Sequence, residues 1–103
     1  MTRYIVTDPC YVLTDDQIEA GDFYCFSTAF GDGEYFDTKG NRYFSDSGRL
    51  ACIEVDAVTE VQRLNEMMGM GIAHIFEMDD LLFCDCGTEN GVIWFGDCVI
   101  DTY

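Results

Sequence analysis

Positive charge is what this sequence has least of. Five Lys and Arg stand against twenty Asp and Glu, for a formal net charge of −15 at pH 7. No basic patch exists to neutralise phosphates, so direct nucleic-acid binding is not expected. Histidine and proline are each represented once, by His74 and Pro9. A lone His leaves one candidate general base in the whole chain. No apolar run approaches the ~18 residues of a membrane-spanning helix. Residues 1–6 carry neither the apolar stretch nor the cleavage pattern of a secretory leader, so a cytoplasmic protein is expected. There is no low-complexity run, no G-x-S-x-G elbow and no phosphate-cradling glycine loop.

What is present is enough apolar material for a core. Hydrophobic residues make up 49% of the 103 and aromatics 15%. That composition predicts one folded domain over residues 1–103, needing neither metal nor disulfide to fold. The six cysteines are expected to be free thiols, because a reducing compartment gives their even number no meaning.

Local patterns predict an α+β domain, mainly antiparallel, with about eight short strands and one main helix near residues 57–68. Residues 3–7 read as a first strand, broken at Asp8-Pro9 and resumed at 11–13. Thr14 and Gln17 match a capping box for a short helix to about Ala20. Residues 23–30 read as a strand. Residues 34–37 and 42–45 flank a hairpin loop. Residues 49–55 alternate as a half-buried strand. Asp56 is the expected cap of the main helix, with Gly69 or Gly71 as its stop. Residues 72–78 and 81–86 read as strands paired around Asp79-Asp80. Asn90-Gly91 predicts a tight turn between the last strands.

Candidate chemistry is thin. Cys84-Asp85-Cys86 would place two thiols on one strand face, but the other cysteines are isolated and a structural zinc site needs four ligands, so no metal or other cofactor is expected. His74 shares the face of Ile72 and Phe76 and reads as a core histidine with its polar atoms satisfied. Asp32 to Asn41 does not follow the spacing of a calcium-binding loop. The aromatics Tyr11, Tyr24, Tyr35, Phe36, Tyr43, Trp94 and Tyr103 divide between core packing and possible anchors of a binding face.

Four phrases occur together: Thr7-Asp8-Pro9-Cys10-Tyr11-Val12-Leu13, Thr28-Ala29-Phe30-Gly31-Asp32-Gly33-Glu34-Tyr35, Asp46-Ser47-Gly48, and Phe95-Gly96-Asp97-Cys98-Val99-Ile100-Asp101-Thr102. In these the chain resembles a group of small uncharacterised proteins of bacteria and their phages. The resemblance spans most of the chain and carries no activity. It implies a phage or mobile-element accessory gene working in the cytoplasm of a bacterial host. Small acidic proteins of that origin include inhibitors of host nucleases and anti-CRISPR proteins.

The charge then suggests a function. A domain of this length is roughly 30–35 Å across, and duplex DNA of that length carries on the order of 20 charges. The expected role is therefore non-catalytic: occupying the basic surface of a nucleic-acid-binding host enzyme, such as a nuclease complex, as a nucleic-acid mimic. The expected contact residues are the loop acids Asp15, Asp16, Glu19, Asp32, Glu34, Asp37, Asp79 and Asp80. The alternative is a sponge for a signalling nucleotide. It is disfavoured by the shortage of cations, which are only Arg3, Lys39, Arg42, Arg49 and Arg63.

Overall fold

The computed structural model describes residues 1–103 throughout. Strand β1 (Thr2–Thr7) leads through a 3₁₀ turn (Pro9–Tyr11) to helix α1 (Asp15–Ala20), then β2 (Tyr24–Ser27), β3 (Gly33–Asp37), β4 (Arg42–Ser45) and β5 (Arg49–Glu54). A second 3₁₀ turn (Val55–Ala57) precedes helix α2 (Val61–Gly69) and β6 (His74–Met78). A third (Phe83–Asp85) precedes β7 (Cys86–Glu89), β8 (Val92–Phe95) and β9 (Cys98–Asp101). The class is the expected α+β, with nine strands in two antiparallel sheets.

The strand order is β2-β5-β1-β6 in the four-stranded sheet and β4-β3-β9-β8-β7 in the five-stranded one. Alternation along the strands explains the layering. Tyr4, Val6, Leu50 and Cys52 face the five-stranded sheet and meet Tyr35, Tyr43, Ile93, Phe95 and Ile100 in one core. Ile5, Ala51 and Ile53 point the other way and are covered by Val12, Leu13, Val58 and Leu64 from the turns and helices. The four-stranded sheet is thus the middle layer of three. The half-buried strand expected at 49–55 is instead buried on both faces from Leu50 to Ile53. The five-stranded sheet leaves its outer face, including Phe36, open to solvent.

Several elements follow local chemistry. Thr14 and Gln17 form the predicted capping box of α1. Asn90 and Gly91, with φ of 51° and 82°, make the tight β7–β8 turn that needs left-handed backbone at both positions.

Others depart from expectation, each for a reason outside the local sequence. Residues 11–13 do not resume an extended path, because Asp8 caps the 3₁₀ turn by accepting from the Cys10 N–H. The 23–30 strand stops at Ser27, and Thr28 turns to bond the Gly31 carbonyl. The main helix starts at Val61 and not at Ala57. Asp56 lies inside a 3₁₀ turn, and the buried Val58 pins the chain before the helix begins. Residues 81–86 are not a strand paired with 72–78. The β6 strand pairs with β1, and both backbone polar groups of Leu81 are taken by tyrosines.

Candidate protein-binding interface

The carboxylates fall into two populations. Asp8 and Asp37 are buried, Glu60 is half-buried, and every other Asp and Glu is exposed. The buried pair works for the fold. Asp8 Oδ2 accepts from the N–H groups of Asp46 (2.8 Å) and Ser47 (2.7 Å). Its Oδ1 accepts from the Cys10 N–H (2.9 Å) and the Ser47 hydroxyl (2.7 Å). Burial alone would raise its pKa, but the hydrogen bonds from Ser47 and Cys10 outweigh that and hold it below the ordinary carboxylate value. Asp37 does the same for the β3–β4 hairpin. It accepts from the N–H groups of Lys39 and Asn41 (both 2.9 Å), the Asn41 amide (2.9 Å) and the Tyr43 hydroxyl (2.7 Å). Its pKa too is lowered: burial opposes, and the bonds from Tyr43 and Asn41 win. Asp37 was expected at the interface; its oxygens are instead committed inside the fold.

The four phrases quoted from the sequence are spent in the same way. Asp8 of the first grips the Asp46-Ser47 turn of the third. Thr28 and Tyr35 of the second both donate to the Gly31 carbonyl (2.6 and 2.7 Å). Thr102 of the fourth accepts from the Ala29 N–H (2.9 Å) and donates to the Gly91 carbonyl. These motifs join distant turns of one scaffold.

The remaining expected contact residues are all exposed, in separate places. Asp15, Asp16 and Glu19 lie on α1, over the helical face. Asp32 is in the turn before β3. Glu34 makes the chain's one ion pair, with Arg42 at 3.3 Å. Asp79 and Asp80 differ from these in their company. Together with Glu77, Asp85 and Asp97 they border one depression of about 260 Å³ where β6 ends beside the β8–β9 turn. No Lys or Arg lines it. Between Asp80 and Asp85 the chain presents Leu82 and Phe83, 64% and 87% exposed. Asp85 also fixes this loop by accepting from the Leu82 N–H (3.0 Å). The sequence named Asp79 and Asp80. Glu77, Asp85 and Asp97 join them only through the placement of three separate segments, while Leu82-Phe83 beside acids was a signal available in the sequence.

On the other side of the loop lies the largest cleft, about 600 Å³. Tyr4, Tyr24 and Cys52 line it from the four-stranded sheet, and Leu81 and Phe83 from the loop. The Tyr24 hydroxyl donates to the Leu81 carbonyl (2.8 Å), and the Tyr4 hydroxyl accepts from the Leu81 N–H (2.9 Å). Two tyrosines thus latch the loop to the sheet.

Groups with nucleophilic potential are muted. Burial raises the Cys10 thiol to about 12, helped by Asp8, and burial raises Cys25, Cys52, Cys86 and Cys98 as well. Cys84 is exposed in a 3₁₀ turn, whereas Cys86 is buried at the start of β7, so the pair does not share a strand face. No cluster of three or more His, Cys, Asp or Glu side chains has metal-holding geometry. His74 sits 2.8 Å from the Arg42 carbonyl through Nε2 and edge-on to Tyr43, as a packed histidine would. No helix is long and apolar enough to cross a membrane. No protein-family model matches this sequence, and no curated protein or solved structure matches it.

Proposed function

We propose that this protein is a non-catalytic inhibitor that occupies the basic surface of a nucleic-acid-binding protein. The observation that carries the reading is the loop end. Glu77, Asp79, Asp80, Asp85 and Asp97 line a depression that no Lys or Arg enters, next to the exposed apolar pair Leu82 and Phe83. Charged rim and apolar anchor are the two ingredients of an interface that is steered by field and held by burial. The scale is adequate. The molecule measures 32 × 27 × 26 Å, and its charge of −15 is comparable with the ~19 phosphates of duplex DNA over the same length. A phage-borne inhibitor of anti-CRISPR or anti-restriction type in a bacterial cytoplasm is the most specific form of this reading.

The nucleotide-sponge reading draws no support from the largest cleft, whose charged lining is Asp22 and Glu54 with no Lys or Arg. The proposed function is tested by capturing partners from a bacterial extract on the immobilised chain and eluting with duplex DNA. Nucleic-acid-binding proteins should be released by DNA and be missing from the Asp79→Lys/Asp80→Lys variant. A captured set indifferent to both would overturn it.

A further inference from the structure

We propose that the cleft between the four-stranded sheet and the Leu81–Phe83 loop binds a small organic cation with an aromatic or branched apolar body. The cleft adjoins the proposed macromolecular interface and shares Leu81 and Phe83 with it, but its own carboxylates, Asp22 and Glu54, are not among the interface acids. Its volume of about 600 Å³ falls within the range of small-molecule sites. Nine of its eleven lining residues are hydrophobic, among them Phe23, Tyr24, Phe26 and Phe83. The other two are Asp22 and Glu54. Both are exposed, and neither takes part in the chain's one ion pair.

That lining selects by charge. An anion meets two unneutralised carboxylates and the field of the whole molecule. A neutral apolar ligand fills the walls and leaves the carboxylates unmatched. A cation on an apolar body satisfies both, and the aromatic faces add cation–π attraction. The wall is preorganised, because Tyr4 and Tyr24 hold the Leu81 backbone before any ligand arrives. Cys52, at the floor, is buried and stays protonated, so the cleft holds its ligand without reacting with it.

The test uses dansylcadaverine, whose naphthalene body carries a primary ammonium, and its N-acetyl derivative, which is neutral. Fluorescence titration should show saturable binding of one dansylcadaverine per chain with blue-shifted emission. The neutral probe should bind about fivefold more weakly, the equivalent of one lost charge contact. Asp22→Asn with Glu54→Gln should remove that preference. Asp32→Asn with Glu89→Gln changes the net charge equally away from the cleft and should leave it intact. Phe83→Ala, at an exposed position that cannot unfold the core, should weaken both probes about threefold. Absence of saturation up to about 1 mM, equal affinity for the two probes, equal effects of the two double variants, or no effect of Phe83→Ala would each overturn the site.

Discussion

Two acidic corners of this molecule use the same functional group in opposite ways. Around Asp8 a single carboxylate is buried and accepts hydrogen bonds from three backbone N–H groups and two hydroxyls. Around Asp79 and Asp80 five carboxylates share one depression with no Lys or Arg in its lining. At the first corner the charge is matched by fixed donors and stabilises the fold. At the second it is unmatched, costs the fold some self-repulsion, and remains available to a partner. Abundance of acid is therefore not one property of the chain but two.

The contrast predicts unequal damage. Asp8→Ala strands the N–H groups of Cys10, Asp46 and Ser47 together with the buried Ser45 hydroxyl and should cost about 3–5 kcal/mol. By thermal melting the midpoint should fall by at least about 15 °C. A shift of a few degrees would mean that solvent replaces the carboxylate easily. Asp37→Ala should cost less, about 2–3 kcal/mol, since all its donors but the buried Tyr43 hydroxyl belong to Lys39 and Asn41 at the hairpin's surface.

Acid titration sharpens the same point. Both buried carboxylates have folded-state pKa values below the unfolded ones. Their stabilisation is full above the unfolded pKa, near 3.8, and is lost as pH falls through the folded values. Stability followed by urea unfolding should fall steeply below about pH 3.5. In Asp8→Asn the steep acid limb should flatten. An acid limb as steep in Asp8→Asn as in the parent would show that Asp8 does not carry it.

Thr7 offers a smaller test one residue from Asp8. Its buried hydroxyl has no hydrogen-bond partner. Thr7→Val keeps the shape and removes the unsatisfied group, so stability should rise by about 0.5–1 kcal/mol. Asp79→Lys with Asp80→Lys should move the melting midpoint least, by no more than about 3 °C. A large loss there would place those acids among the residues that hold the fold.

The sequence made legible those features whose cause is local. The α1 capping box, the Asn90-Gly91 turn and the β3–β4 hairpin all rest on residues within a few positions of one another. Segment 81–86 departs from the strand its composition suits, because the groups that hold it, Tyr4 and Tyr24, are 77 and 57 positions away. Asp8 was read as a strand breaker because the turn it grips lies 38 and 39 positions later. Asp37 had a readable local signal. An Asp two residues before Lys39-Gly40 is placed to close an Asx turn on its own backbone, which removes it from solvent. At the candidate interface Asp79 and Asp80 were visible as loop acids. The ring they belong to needs β6, the third 3₁₀ turn and the β8–β9 turn brought together, which no local pattern encodes.

The central claim is that the open acidic corner competes with nucleic acid for a basic groove. The most direct measurement takes a captured partner, forms its complex with fluorescently labelled duplex or single-stranded nucleic acid, and follows anisotropy as this protein is added at ~0.15 M salt, where the Debye length is ~8 Å. The account predicts complete release at saturation, a steep loss of potency as salt rises, and little release by the Asp79→Lys/Asp80→Lys variant. A ternary complex that keeps its nucleic acid at saturating protein would contradict it.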